Sequence, residues 1–276
     1  MSNIENSGAS ASKTLVQQQF GANAANYVVS SVHAKGASLQ RLVELVSPES
    51  SWTALDIATG GGHTALAFAP HVSHVTASDL TEEMLEQVRK QVTEKGLGNV
   101  GTARADAEHL PFSDATFDLV SCRIAPHHFP DIPKFVSEVH RVLTPGGVFA
   151  LVDNISPDAV STPGFSDAEL KEAAATYNSF EKIRDPSHGR AWQPGEWADC
   201  IAATGFEITH QEFLPKAMNF DTWCRNMSVP AGKVPGLEAM LRDGSPAFKA
   251  YIKPEDTAAG LGFTLTELMV IARKAA

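Results

Sequence analysis

Apolar residues along residues 51–154 switch repeatedly between short continuous runs and the three-to-four-residue spacing of amphipathic helices. The short runs predict five strands, at 52–58, 72–78, 101–105, 117–122 and 148–153. Helical spacing between them predicts three helices, at 64–69, 82–95 and 132–143. Strands that alternate with helices in this way favour a parallel sheet that is covered by helices on both faces.

The segments on either side of this core are mostly helical in pattern. Residues 1–13 are rich in Ser, Asn and Ala and are predicted to form a disordered tail. Helices that cap the core are predicted within 14–50, 155–205 and 216–252, and two late strands within 206–215 and 260–274. We therefore expect one domain over residues 14–276, a doubly wound α/β fold with a seven-stranded sheet, a core at 51–154 and a helical cap.

Composition and charge narrow the class of protein. The chain has 276 residues, 43% of them hydrophobic, and its 22 Lys and Arg against 32 Asp and Glu give a formal charge of −10. Such an acidic chain is not expected to bind nucleic acid or an anionic membrane surface. No run of eighteen apolar residues and no signal peptide are present, so no stable membrane insertion is expected. The distant cysteines, without a C-x-x-C pair, indicate reduced thiols and a cytoplasmic location.

The segment D-I-A-T-G-G-G-H (56–63) lies between a predicted strand and a predicted helix. Its glycines allow a sharp turn and a close approach to a ligand, and the helix that follows offers free N–H groups. Asp79 ends the next strand, 23 residues after Asp56. A carboxylate at that place in a doubly wound fold usually accepts hydrogen bonds from the two hydroxyls of a ribose. The alternative is an ordinary tight turn without a ligand.

Asp56, the acid at the start of this loop, indicates which kind of nucleotide the loop would bind. Dinucleotide sites have the spacing G-x-G-x-x-G and place a diphosphate at the helix N-terminus. Asp56 would repel a diphosphate, whereas it suits a ligand that carries an amino group and a sulfonium. The loop therefore favours S-adenosylmethionine over NAD, and a nucleotide-dependent oxidoreductase is the alternative.

A series of segments, in order, resembles the motifs of class I S-adenosylmethionine-dependent methyltransferases. They are 56–63, 75–80, 104–112, 117–129 and 143–147. The resemblance is greatest to methyltransferases of the ubiquinone/menaquinone C-methyltransferase type (methyltransferase type 11) and their small-molecule relatives. It implies a Rossmann-like sheet, S-adenosylmethionine as cofactor and S-adenosylhomocysteine as product. No metal is expected, because no pair at H-x-x-x-H or similar spacing with an acid supports a metal site. One departure is Ala58, which stands where the family usually has its first glycine.

The resemblance also implies which residues bind the cofactor. Asp79 would hold the ribose, Leu80 would pack on the adenine, and Asp106 with the following backbone N–H would recognise the adenine. The full implied set is Asp56, Ala58, Gly60, Gly62, Asp79, Leu80, Met84, Asp106, Ala107 and Arg123.

Methyl transfer is an in-line displacement that mainly needs alignment, and holding the reacting atoms about 3 Å apart supplies roughly 7–11 kcal/mol of the barrier. An acceptor with a hydroxyl or an acidic carbon also needs a base. His127 and His128, at the end of the fourth predicted strand, are the candidates; the alternative is that one orients the loop and the other packs. Tyr27, on the N-terminal helices, either closes the site near the methyl group or packs.

The acceptor is expected to be a small molecule, with C- or O-methylation favoured. Residues predicted to contact it are Tyr177, Arg184, His188 and Trp223. Arg184 could bind a carboxylate or phosphate of the acceptor, or could pair locally with Asp185 or Glu181. Trp223 could line an apolar acceptor site or belong to the core. A protein that binds S-adenosylmethionine without methyl transfer is the non-enzymatic alternative.

Overall fold

The computed structural model describes residues 11–21 and 37–276. The predicted tail therefore lies outside the described residues except for 11–13, which begin a helix, and Tyr27 also lies outside them. The chain divides into two compact units. Unit 1 contains the described residues up to Val152 with Cys200–Glu212 and Met269–Ala276, and unit 2 contains Asp153–Asp199 and Phe213–Leu268.

Eight strands form one sheet over the described residues. They are β1 (Thr53–Ile57), β2 (His74–Asp79), β3 (Val100–Arg104), β4 (Phe117–Arg123), β5 (Leu143–Asn154), β6 (Phe206–Asn219), β7 (Glu255–Thr257) and β8 (Gly260–Lys274). Their order is β3-β2-β1-β4-β5-β8-β6, and the short β7 pairs antiparallel with β8. β1 is parallel to β2 and β4, β2 to β3, and β4 to β5. The predicted doubly wound α/β fold is confirmed, with β7 as an additional strand.

The described helices lie before, between and after these strands. They are α1 (residues 11–21), α2 (Ala37–Val46), α3 (His63–Phe68), α4 (Glu82–Lys95), α5 (Ile132–Val142), α6 (Asp167–Arg184), α7 (Pro194–Ala203), α8 (Phe220–Asn226), α9 (Val234–Asp243) and α10 (Pro246–Ile252). None of the described helices has the length and apolar character that crossing a membrane requires.

The central strands of unit 1 are buried on both faces, as expected for a parallel sheet between helix layers. Leu55, Leu119 and Val120 are completely buried. The strand order reverses between β1 and β4, because β2 and β3 lie on one side of β1 while β4 and β5 lie on the other. Ligands of such sheets bind beyond the carboxyl ends of the strands at this switch point.

β5 differs from its prediction. It begins at Leu143, five residues earlier than position 148, so the predicted Pro-Gly-Gly turn lies within the strand. The pairing of β4 with β5 shifts register between Phe117 and Leu119, which absorbs the irregular segment. Gly147 is required there, since a Cβ would lie 2.9 Å from the Thr144 carbonyl oxygen.

Arg141, at the end of α5, anchors the loop that follows β3. Its guanidinium donates to the carbonyl oxygens of Phe112 (2.7 Å) and Leu110 (3.0 Å). It also pairs with Glu138 at 2.8 Å, and Glu138 accepts a hydrogen bond from the Leu110 N–H at 2.8 Å. The hydrogen bond from Arg141 lowers the pKa of the nearly buried Glu138. The ion pair therefore fixes the loop that follows β3 and carries Asp106.

Unit 2 has an aromatic core of its own. Phe180 stacks on Trp223 with ring centres 4.6 Å apart, and Phe263 meets the Trp223 ring edge-on at 5.2 Å. α6, which carries Phe180, begins with a capping box in which Ser166 and Glu169 satisfy each other's backbone N–H groups. Packing of large aromatic rings stabilises this unit.

We predict that Arg141→Met lowers the free energy of unfolding by about 2 kcal/mol, because the nearly buried Glu138 carboxylate would lose its partner at 2.8 Å and keep only the more distant Lys134 at 3.8 Å. Urea unfolding at pH 7.5 measures this. Arg242→Met is the control, since Arg242 has two carboxylate partners, Glu238 and Asp256, at an exposed place and should matter much less. An equal decrease in the free energy of unfolding for the two variants would contradict the anchoring role of Arg141.

Candidate active site

The loop between β1 and α3 adopts a backbone that favours glycine. Gly60 and Gly62 have φ angles of 52° and 83°. At Gly62 a Cβ would come within 3.0 Å of Val88 on α4, so only glycine allows this approach of loop and helix. Ala58 also has a positive φ of 50°. The alanine at this position therefore adopts the left-handed backbone that glycine favours.

Asp56 is the buried centre of this loop, with 1% of its surface exposed. Its Oδ2 accepts hydrogen bonds from the Thr59 hydroxyl (2.6 Å) and the Ala65 N–H (3.1 Å). Its Oδ1 accepts one from the Ser121 hydroxyl at 2.7 Å. Burial raises the pKa of Asp56 to about 6, although these hydrogen bonds and the nearby Arg123 oppose the increase. One carboxylate thus joins the loop, α3 and β4.

Asp79, at the end of β2, is held by backbone groups on both oxygens. Its Oδ2 accepts from the Gly60 N–H and its Oδ1 from the Thr81 N–H, each at 2.9 Å. Burial raises its pKa. The Thr81 hydroxyl and the Leu80 N–H also stabilise the ionised carboxylate. The side chain is therefore oriented before a ligand binds, as a ribose-binding acid requires.

α1 adds charged and polar contacts at the same edge of the sheet. The Lys13 ammonium pairs with Asp106 at 2.7 Å and also with Glu108. Burial opposes the charge of Lys13, but the two carboxylates raise its pKa overall. The Gln17 amide donates to the Leu80 carbonyl oxygen at 3.1 Å.

Asp106, Glu108 and His109 also form the group of potential metal ligands that the described residues contain, with ligand atoms within 4.8 Å of one another. Two of these three side chains are already paired with the Lys13 ammonium.

His127 and His128 lie on a short turn, Pro126–His128, directly after β4. Both are nearly buried, and their ring centres are 4.2 Å apart. Phe20 of α1 meets the His128 ring edge-on at 5.0 Å. Ile124, just before this turn, has a φ of 55°, an unusual value for a β-branched residue.

An open cleft in unit 1, of about 1080 Å³ including the space at its mouth, brings most of the predicted cofactor residues together. Of the predicted residues it is lined by Asp56, Ala58, Gly60, Asp79, Leu80, Met84, Asp106, Ala107, Arg123 and His128. Gly62 and His127 are not among its lining residues. The Arg123 guanidinium donates to the Thr64 hydroxyl at 3.1 Å.

The sequence predicts helices within 14–50 that cap the core, but sequence analysis assigned no residue of α1 to the site. Lys13, Val16 and Phe20 line it, together with Ile124 and Phe129. Positions 13, 16 and 20 share one face of a helix, and this spacing could have indicated that the three side chains point in the same direction. Sequence analysis also gave no role to Glu108, which lines the cleft as well.

The four predicted acceptor residues lie in unit 2, whereas the residues that line the cleft all belong to unit 1. Tyr177 and Trp223 are completely or almost completely buried in the aromatic core. The His188 ring hydrogen-bonds the Asn178 side-chain oxygen at 2.9 Å. The Arg184 guanidinium lies over the Trp223 ring at 4.7 Å. Arg184 also pairs with Glu181 at 3.6 Å, which is the local ion pair considered above as the alternative to binding an acceptor anion.

Comparison with known proteins places this site in a family. Residues 55–151 match the family model described as a methyltransferase domain. YcgJ of Bacillus subtilis, named an uncharacterized methyltransferase, is 36% identical over 218 residues, which are 78% of this chain and 80% of that protein. Its crystal structure superimposes with a TM-score of 0.77 at 31% identity, covering 87% of this chain and 98% of that one.

Two further comparisons agree with this family. A Bacillus halodurans crystal structure, described as a candidate methyltransferase, has a TM-score of 0.78 at 36% identity and covers 87% of this chain and 100% of that one. The ubiquinone/menaquinone biosynthesis C-methyltransferase UbiE of Brucella anthropi is 33% identical over 148 residues, 52% of each chain. The resemblance inferred from the sequence motifs is confirmed: the chain belongs to the S-adenosylmethionine-dependent methyltransferases.

Proposed function

We propose that the protein methylates a small-molecule acceptor and that the cleft of unit 1 holds both the cofactor and the reacting part of the acceptor. The observation that carries this proposal is the convergence of three acids on one cleft. Asp56 is the penultimate residue of β1, Asp79 ends β2 and Asp106 follows β3 by two residues, and all three line the cleft. This arrangement suits a cationic nucleoside better than a diphosphate.

The polar groups of the cleft suggest how the cofactor is oriented. Asp79 lines the cleft with its carboxylate held in place and would accept hydrogen bonds from ribose hydroxyls. Leu80 and Met84 offer apolar surface to the adenine, next to Asp106. At the other side, Asp56 would attract the α-amino group and Arg123 the carboxylate of the methionine part. When bound, S-adenosylmethionine supplies an electrophilic methyl carbon on its sulfonium.

His128 is the proposed base, because it lines the cleft while His127 packs against it from behind. An imidazole at this place can accept the proton that a hydroxyl or an acidic carbon of the acceptor loses, which favours C- or O-methylation. His127 is then a positioning residue for the His128 ring. The roles of Tyr27, and of Tyr177, Arg184, His188 and Trp223 in acceptor binding, stay predictions.

A cytoplasmic location is also proposed. Cys122, Cys200 and Cys224 are not part of any disulfide. Free cysteines are typical of a reducing compartment. The net charge of −10 favours a small-molecule partner over a nucleic acid.

One prediction of the proposed function concerns the pH dependence of cofactor binding. The raised pKa of Asp56, about 6, means that acidification from pH 7.5 to 5 protonates this carboxylate. Loss of its charge should weaken the binding of S-adenosylhomocysteine, which carries the same amino group, by about tenfold at pH 5. Isothermal titration at both pH values measures this.

Asp56→Asn should bind S-adenosylhomocysteine more weakly at pH 7.5. Its affinity should also lose the part of the pH dependence that Asp56 causes, while His63 and His128, which also line the cleft, are unchanged in this variant. Glu86→Gln, an exposed acid on α4, is the control and should keep the dependence of the wild type. A wild-type affinity that is the same at pH 5 and 7.5 would contradict the proposed contact of Asp56 with the amino group.

Another prediction of the proposed function tests methyl transfer itself. Transfer of a labelled methyl group from S-adenosylmethionine into a small-molecule extract should occur with the wild type. His128→Ala should slow it by about 10²–10⁴-fold, because the base is lost, without weakening S-adenosylhomocysteine binding. His127→Ala should have a smaller effect, and the exposed His71→Ala should have none.

Two results would contradict this account in different ways. Binding of S-adenosylhomocysteine without any methyl transfer by the wild type would favour a binding protein over an enzyme. Equal transfer rates in the wild type and His128→Ala would leave the enzyme but remove His128 as its base.

A further inference from the structure

Lys13 of α1 lies between two acids of the loop that follows β3. Its ammonium pairs with Asp106 at 2.7 Å and also with Glu108. All three side chains line the cleft, and only 22% of the Lys13 side chain is exposed. A cation on α1 is therefore the partner of two acids at the end of the cleft where Asp106 is proposed to bind the adenine.

Glu108 extends this contact to the loop that follows β4. Its Oε2 faces Lys13, and its Oε1 accepts a hydrogen bond from the Asp131 N–H at 2.6 Å. Asp131 caps α5, because its carboxylate accepts a hydrogen bond from the Lys134 N–H at 2.9 Å. It comes three residues after His128 in the chain. Glu108 therefore connects α1 with the end of the loop that carries His128.

The two acids are close enough to repel each other. An oxygen of Asp106 and an oxygen of Glu108 lie within 4.8 Å, and Glu108 is nearly buried. Ionised carboxylates at this distance repel each other, and burial strengthens the repulsion. His109 also lies beside Asp106, at 3.7 Å, but its side chain is mostly exposed. Lys13 is therefore the cation that offsets the repulsion in the partly buried place between the two acids.

The charge and the direction of the Asp106 carboxylate both depend on this contact. Burial opposes the charge of Asp106, but the hydrogen bonds from Lys13 and from the Glu108 N–H lower its pKa overall. The Glu108 N–H donates to Oδ1 at 3.0 Å, while the Lys13 ammonium lies at Oδ2. Lys13 thus holds one of the two carboxylate oxygens in place.

α1 has a second contact that bears on the histidine turn. Its Phe20 ring meets the His128 ring edge-on, with ring centres 5.0 Å apart. Lys13 and Phe20 belong to one continuous helix, residues 11–21, so a displacement at one is transmitted to the other. His128 is therefore connected to Lys13 in two ways, through Phe20 and through Glu108.

We propose that Lys13 is a positioning residue for methyl transfer, although it does not act on the reacting atoms. Its ammonium keeps Asp106 in the direction that the adenine requires, and through Glu108 and Asp131 it fixes the loop that carries His128. Without this cation the two carboxylates would separate, and both cofactor binding and the transfer step would be impaired. The inference rests on the proposed function, in which Asp106 binds the cofactor and His128 is the base.

Substitutions at position 13 test the role of the charge. Lys13→Met should weaken S-adenosylhomocysteine binding by about tenfold in isothermal titration at pH 7.5, because Asp106 loses its orientation. Lys13→Arg keeps a cation and should bind within about threefold of the wild type. Lys90→Met is the matched control: Lys90 is exposed on α4, 4.0 Å from Glu94, and its loss should leave the affinity unchanged.

Transfer of a labelled methyl group separates binding from positioning. At saturating S-adenosylmethionine, Lys13→Met should still transfer about tenfold more slowly than the wild type, because the loop that carries His128 is displaced as well. Lys13→Arg should restore most of the rate. A rate of Lys13→Met equal to that of the wild type at saturating cofactor would contradict the connection to His128.

A second substitution distinguishes the charge of Lys13 from its packing. Lys13→Met combined with Glu108→Gln leaves one carboxylate, so the repulsion is removed, and the new amide oxygen can still accept from the Asp131 N–H. The S-adenosylhomocysteine affinity should return to within about threefold of the wild type. If Lys13 only packed against the loop, the double variant would bind no more tightly than Lys13→Met.

A further measurement needs no variant. In a brief reaction of the wild type with acetic anhydride, mass spectrometry should find Lys13 acetylated at least about tenfold more slowly than the exposed Lys90, because two carboxylates engage the Lys13 ammonium. Bound S-adenosylhomocysteine should slow the reaction of Lys13 further and leave that of Lys90 unchanged. Equal rates at the two lysines would overturn the inference.

The outcomes separate the two proposals. Failure of S-adenosylhomocysteine to bind the wild type would overturn the proposed function and this inference with it. Normal binding by the wild type, with equal affinities of Lys13→Met and Lys90→Met, would overturn the inference alone. The same holds if the double variant binds no more tightly than Lys13→Met.

Discussion

The buried carboxylate of Asp56 connects the parts of unit 1 that form the cleft. It accepts hydrogen bonds from Thr59 in the loop, Ala65 in α3 and Ser121 in β4. Burial raises its pKa to about 6, so keeping it ionised at neutral pH costs free energy of folding. A neutral side chain would avoid this cost. Retention of an acid here is understandable if its negative charge serves a cationic ligand.

The rest of the cleft is arranged around this centre by the order of the strands. Asp79 is fixed by the N–H groups of Gly60 and Thr81, and the loop that carries Asp106 is anchored by Arg141 through Leu110 and Phe112. These constraints orient the acids before any ligand binds, which lowers the entropic cost of binding. α1 contacts the same edge of the sheet through Lys13, Gln17 and Phe20.

Much of the fold followed from local patterns in the sequence, because buried parallel strands and amphipathic helices have distinct periodicities. The glycine loop and Asp79 could be placed for the same reason. The contacts of Lys13 with Asp106, 93 positions away, could not be predicted, since they depend on tertiary packing. Nor could helical spacing distinguish a binding site from a core: Tyr177 and Trp223 are buried in the aromatic core of unit 2.

The central claim is that the cleft of unit 1 is built for S-adenosylmethionine and not for a dinucleotide. Thermal unfolding with S-adenosylhomocysteine, and separately with NAD, tests it most directly. A ligand at about 100 times its Kd stabilises the folded state by roughly 2.7 kcal/mol. For a chain of this size the account predicts that S-adenosylhomocysteine raises the midpoint by about 5–10 °C and that NAD leaves it unchanged. No increase with S-adenosylhomocysteine, or an increase with NAD alone, would contradict it.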